Sequence, residues 1–162
     1  MQQTPELLRL LLDAGVEFVL IGGVAAIAHG SATFTQDCDI AAPFTEANFS
    51  RLLEALAPYH PRYALAGPKR PVTESAGELA TYRNLYLLTD LGRLDILSEV
   101  QALGPYKDWA DRAISLELYG RQCRIISLDD LITVKRHLGR DKDRLVEREL
   151  LALRARKSPN DP

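Results

Sequence analysis

Three aspartates and two glycines are the residues of this chain whose types and spacing suggest chemistry. Asp37 and Asp39 flank Cys38 in a strand-like run, TQDCDI. Side chains on a strand alternate between faces, so the two carboxylates point the same way while Cys38 and Ile40 point into the core. Like charges so placed need a cation, or must stay in water. A divalent ion is the economical cation, because Mg²⁺ prefers a few carboxylate oxygens together with substrate phosphates. Upstream, the apolar run Phe18 to Ile21 enters Gly22-Gly23 and then the small-residue segment Val24 to Ala28. Glycine backbone opening a helix can approach a phosphate closely and offer its N–H groups.

Spacing alone does not single out this pair. The chain has three acidic pairs at i, i+2, namely Asp37/Asp39, Asp141/Asp143 and Glu147/Glu149, which is what its acid content produces by chance. Context separates the first, which lies among apolar and small residues just after a strand–Gly-Gly–helix unit. A solvated strand end is the plainer alternative. A third acid, Asp95, lies inside the apolar run RLDIL. An unpaired carboxylate there is costly to bury, so Asp95 either pairs with Arg93 or stands beside Asp37 and Asp39 as a third carboxylate. Lys135 falls within the apolar stripe of a helix. It either snorkels outward or reaches a phosphate from a partly buried position.

The elements that must position these residues follow from periodicity. Thr4 caps a first helix with Pro5 in its first turn, Leu7, Leu8, Leu11 and Leu12 as its apolar face, and Gly15 at its end. After the Asp37–Ile40 strand Pro43 breaks the chain, and Thr45 caps a second helix with Phe49, Leu52, Leu53 and Leu56 inward. Residues 58 to 81 carry four prolines and read as a functional loop or a plain connector, with a strand around Arg62 to Leu65. Asn84 to Thr89 and Arg93 to Leu97 form a hairpin turning near Leu91-Gly92. A linker at Gly104-Pro105 leads to strands at Ala113 to Leu118 and Gln122 to Ile126. Ser127 with Asp130 starts the helix that carries Lys135, and Gly139 closes it. A last helix begins near Asp141, and the tail at 158–162 is expected to be disordered.

The bounds are ordinary. A chain of 162 residues with 46% apolar content, 26% charged content and net charge −2 fits one globular domain, 1–157, rather than a broadly basic nucleic-acid binder. No apolar run reaches the length of a membrane span, and no signal-peptide pattern opens the chain. Cys38 and Cys123 lack metal-site spacing and read as buried free thiols of a cytoplasmic protein.

In order, these motifs resemble the nucleotidyltransferase superfamily with the DNA polymerase β-type palm. IGGVAAIAHG, TQDCDI, RLDIL and ISLDDLITVKRHLGRDKDRLVE are similar to a group of small bacterial proteins that includes AbiEii-type toxins of toxin–antitoxin systems. The resemblance covers roughly residues 5 to 152. It implies an α+β fold, a mixed and mostly antiparallel sheet flanked by helices. It also implies transfer of an NMP from an NTP, ATP or CTP, to a hydroxyl on a tRNA 3′ end or a protein. On that resemblance Asp37, Asp39 and Asp95 bind two Mg²⁺ ions, or Mn²⁺, and Asp95 helps deprotonate the acceptor. Gly22, Gly23 and Lys135 hold the triphosphate, and Arg140, Lys142 and Asp143 match a Gly-Arg-x-x-Asp segment. An antitoxin or toxin partner is implied as well. Aminoglycoside nucleotidyltransferases share a similar core, so a small-molecule acceptor is an alternative, as is a retired enzyme fold used for binding. Two positions depart from the family pattern: Gly23 stands where many members have serine, and Thr33 where many close relatives have arginine.

Overall fold

The computed structural model describes residues 1–65 and 67–157. The chain is mixed α/β. Its main sheet is built from β1 (Val19–Ile21), β2 (Cys38–Ala41), β3 (Arg62–Tyr63), β4 (Asn84–Thr89), β5 (Gly92–Leu97), β8 (Ile114–Leu118) and β9 (Arg121–Ile125), ordered β3-β4-β5-β2-β1-β9-β8. Four of the six neighbouring pairs are antiparallel; β2–β5 and β1–β9 are parallel. The sheet is therefore mixed and mostly antiparallel, as its hairpins require. A short pair, β6 (Glu99–Val100) and β7 (Gly104–Pro105), lies apart.

The central strands are short and buried on both faces. Val19, Leu20 and Ile21 of β1 are all inside, as are Cys38, Ile40 and Ala41 of β2. Helices cover the sheet: α1 (Thr4–Asp13), α2 (Gly22–Ala28), α3 (Glu46–Leu56), α4 (Ala76–Leu79), α5 (Tyr106–Trp109), α6 (Leu128–Leu138) and α7 (Asp141–Lys157). Leu7, Leu8 and Leu11 of α1 join Phe49, Leu52 and Leu56 of α3 in one apolar cluster with the sheet. Burial of both cysteines makes them inert, raising the Cys38 thiol well above its ordinary range and the Cys123 thiol to about 11.

Several boundaries differ from expectation. The residue capping α1 is Gln3, without a side-chain cap, and Thr4 is the first helical residue. The Thr4 hydroxyl instead accepts from Gln2 Nε2 at 3.4 Å, and Gln2 also bonds the Arg93 backbone, which ties this end to the rim of β5. Strand β2 begins at Cys38, so Asp37 sits just before it. Thr45 and Ser127 do cap α3 and α6. The region after Pro58 is more regular than its prolines suggest. It holds a 3₁₀ turn, β3, and an α4 closed by a Ser75–Glu78 capping box. The linker at Gly104-Pro105 is part of β7 and runs into α5, where Trp109 is fully buried and donates to the Gly104 carbonyl. A four-residue helix anchored by two buried aromatics, Tyr106 and Trp109, has no periodicity to read. Helix α7 continues through Lys157, and the tail expected at 158–162 lies outside the described residues.

Candidate functional site

The parallel pairing of β2 with β5 decides where the acids go. Its register sets Cys38 against Leu94, Asp39 against Asp95 and Ile40 against Ile96. In-register neighbours share a face about 4.8 Å apart. Leu94 and Ile96 fill the core, and Asp39 and Asp95 emerge together on the opposite face. Asp37 lies two residues before Asp39 and reaches the same cleft. That cleft measures about 520 Å³ and is bordered by all three acids, by Gly22 and Gly23, and by Lys135 of α6, Lys142 of α7 and Arg140 between the two helices.

Gly22 is packed against the acids. Its φ is +66°, and a Cβ there would lie 2.3 Å from Asp39 Oδ2. Position 22 therefore excludes a side chain twice over, by backbone conformation and by contact with the carboxylate. Gly23 is close to Thr35, whose Cβ would lie 2.6 Å from an added Cβ. This gives a physical reason for glycine at position 23. We expect Gly23→Ser to destabilise the protein by about 1–3 kcal/mol through overpacking. Adding Thr35→Gly should recover a large part of the loss in a denaturant titration, and no recovery would break this explanation.

The electrostatics of the three acids are unequal. Arg93 grips Asp95 with two bonds, Nε to Oδ1 at 2.8 Å and Nη2 to Oδ2 at 3.0 Å. The ion pair expected as the structural alternative is thus present, on the same face as the other acids. Among the described residues neither Asp37 nor Asp39 has an ion-pair partner. Burial first, then repulsion from Asp95 and Asp37, pushes the Asp39 carboxyl up to about 6 from 3.8, against attraction by Lys135 and Arg93. Negative charge is under-compensated at Asp39.

Lys135 takes a third course between the two expected. Its ammonium is nearly buried and bonds Asp143 Oδ1 at 3.3 Å, while Arg140 Nε meets Asp143 Oδ2 at 2.5 Å. Asp143 is completely buried. Burial works against its ionised form, but Arg140 and Lys135 hold its pKa below the usual range. The Gly-Arg-x-x-Asp segment thus works as a clamp that fixes Lys135 at the cleft wall. Thr33 also lines the cleft, and with Ser31 it bonds Glu149 Oε2 of α7, at 3.3 Å and 2.5 Å. Sequence reading missed this tie, because nothing links position 31 to position 149 before the chain folds. Arg70 pairs with Glu74 and stacks over Tyr63, and Arg83 pairs with Glu99, so neither lines the acidic cleft.

Excess negative charge at Asp39 is a feature that a divalent ion would compensate. Asp39 is crowded by like charge and sits in a cradle that a Cβ at position 22 would fill. Among the described residues, no group of three or more His, Cys, Asp or Glu side chains stands ready around one metal position. Arg93 occupies both oxygens of Asp95. No family model matches this chain, and no curated protein matches it in sequence.

Proposed function

We propose that this protein is a metal-dependent nucleotidyltransferase with a polymerase β-type palm, moving an NMP from an NTP to a hydroxyl acceptor in the cytoplasm. The observation that carries the reading is the register pairing of Asp39 with Asp95, with Asp37 alongside and Gly22 against the Asp39 carboxylate. No helix among the described residues is long and apolar enough to cross a membrane.

Asp37 and Asp39 are the residues that would hold Mg²⁺ or Mn²⁺, joined by Asp95 once Arg93 releases it. Such ions, when bound, offset charge on the entering and leaving oxygens of a phosphoryl transfer. The chain's own residues do the rest. Gly22 and Gly23 leave room for the triphosphate to approach the backbone, and Lys135, Arg140 and Lys142 balance its charge. The acceptor oxygen bonds to the α-phosphorus, and its proton passes to Asp95. The bond from that phosphorus to the pyrophosphate oxygen breaks, and pyrophosphate leaves with the electron pair. The test is incubation with each labelled NTP and Mg²⁺ in a total cell extract, wild type against Asp39→Ala. Label entering RNA, protein or a small molecule only with wild type supports the reading; no label, or equal label, overturns it. An antitoxin or toxin partner belongs to the same proposal and is sought by co-purification.

The Arg93–Asp95 pair favours a second reading, a retired site that serves as a binding module. Calorimetry separates the two, because a retired site takes up neither Mg²⁺-ATP nor Mg²⁺-CTP. We also expect Arg93→Met to tighten Mg²⁺ binding by about fivefold, since it removes roughly 1 kcal/mol of competing cation at a partly exposed site. Unchanged or weaker Mg²⁺ binding would show that Arg93 does not compete.

A further inference from the structure

The main sheet ends in two outer strands, β3 and β8, and they are finished differently. Along β3 the segment 70–72 lies alongside. Tyr63 donates to the Arg70 carbonyl at 3.0 Å, Val72 donates to the Pro61 carbonyl at 3.1 Å, and Arg62 bridges Pro71. At the other end β8 pairs with β9, and among the described residues no strand lies beyond it. An unpaired strand edge is a template for another strand, and proteins blunt such edges with proline, lysine or a covering segment. The sequence of β8, ISLEL, has neither proline nor lysine.

Which backbone groups face outward follows from the ladder. Ile126, just past β9, donates to the Leu20 carbonyl of β1. Even-numbered residues of β9 therefore bond toward β1 and odd-numbered ones toward β8. The two-residue turn Tyr119-Gly120, at φ +52° and +78°, agrees, since it closes on Leu118 and Arg121 as a hydrogen-bonded pair. Ile114, Leu116 and Leu118 thus bond to β9, and Ser115 and Glu117 turn both their N–H and C=O groups outward. The groups flanking them are in use. The Ala113 N–H donates to the Ala110 carbonyl at 3.1 Å, and the Tyr119 carbonyl accepts from Arg9 at 2.9 Å. The edge offers two donors and two acceptors, at residues 115 and 117.

We propose that β8 is a self-association edge, pairing antiparallel with β8 of a second copy of this chain about a two-fold axis at Leu116. That register sets Ser115 of each copy opposite Glu117 of the other, with an N–H···O=C bond in each direction. Two such pairs use all four outward groups. Leu116 meets its own counterpart and Ile114 meets Leu118, so the apolar row of one strand continues into the next. Ile114, 37% exposed in the single chain, gains an apolar neighbour. The Ser115 hydroxyl faces the Glu117 carboxylate across the axis, and no like charges meet. Neighbouring two-fold registers are worse. An axis at Glu117 sets two carboxylates face to face and calls on the Tyr119 carbonyl that Arg9 already holds. An axis at Ser115 calls on the Ala113 N–H, which is already donated.

Sedimentation velocity of the full chain over a series of concentrations tests this. The mass should rise from 18.0 kDa to twice that value, with a dissociation constant in the micromolar range, the scale of a small interface. At high concentration hydrogen exchange should slow at the Ser115 and Glu117 amides and stay unchanged at Leu116, whose amide already bonds β9. Ser115→Pro removes one outward donor from each copy, at a position where an edge strand tolerates proline, and should abolish association. Ser115→Glu sets two like-charged pairs across the axis and should weaken association by about 2- to 30-fold. Adding Glu117→Lys makes both pairs opposite in charge and should restore it. Both side chains are exposed, so the thermal midpoint of the dilute protein should hold in the charge variants. A wild type that stays at 18.0 kDa throughout, whatever other chain it captures, overturns the proposal. So does association that survives Ser115→Pro and Ser115→Glu, or a Ser115→Glu loss that Glu117→Lys leaves uncorrected. The outcome is independent of whether the acidic cleft transfers nucleotides.

Discussion

Asp39→Asn will make the metal-free protein more stable at neutral pH and, on the function proposed above, abolish nucleotidyl transfer. The loss of activity should be at least about a hundredfold, the scale of removing one preorganised electrostatic group from a site. The gain in stability follows from the same charge. The carboxyl of Asp39 is raised to about 6 from 3.8 by burial and by Asp95 and Asp37, so the folded state binds its proton more tightly than the unfolded state does. That contribution favours folding below about pH 4 and is lost as pH rises through about 6. At pH 7 the ionised group opposes folding, by about 3 kcal/mol as an upper bound and about 1–2 kcal/mol once solvent screening is allowed for. Asparagine removes it. Thermal melts in EDTA should therefore show the variant about 2–6 °C above wild type at pH 7, with the gap closing toward pH 4. Added Mg²⁺ should raise the wild-type midpoint more than the variant's. A variant that melts at or below wild type at pH 7 would mean the acids do not repel one another, and the metal reading would lose its electrostatic basis.

Asp143→Ala will be among the most destabilising single substitutions in the chain. Asp143 is completely buried and compensates Lys135, whose side chain is 11% exposed. Removing one partner of a buried pair leaves an uncompensated charge and costs about 3–5 kcal/mol. Arg140 can turn to water, its side chain being more than half exposed; Lys135 has little room to follow. The pair also fastens α6 to α7, so the loss should appear as a lower midpoint and as faster amide exchange in both helices. The double variant Lys135→Met with Asp143→Leu separates charge from shape. It removes both charges and fills the space, so it should recover a large part of the stability while, on the function proposed above, still losing triphosphate affinity. A single-variant loss below about 1 kcal/mol would show that water reaches Lys135 and that the clamp is weak.

Much of this protein is set by local sequence. Caps at Thr45 and Ser127, the apolar stripes of α1, α3 and α6, and the β4–β5 hairpin follow from residue chemistry within a few positions of each element, because caps, helical faces and tight turns are short-range interactions. The same local rules placed Asp37 and Asp39 on one side of a strand. They left Asp95 and Lys135 undecided, since each had two outcomes that differ only in what lies across from it. Folding resolved both. The parallel register of β2 with β5, joined across more than fifty residues, set Asp95 beside Asp39, and the packing of α7 on α6 gave Lys135 its carboxylate. The Glu149 tie to Ser31 and Thr33 likewise depends on groups far apart in the chain. Pairings of that kind carry no periodic signal, so only the tertiary structure decides them.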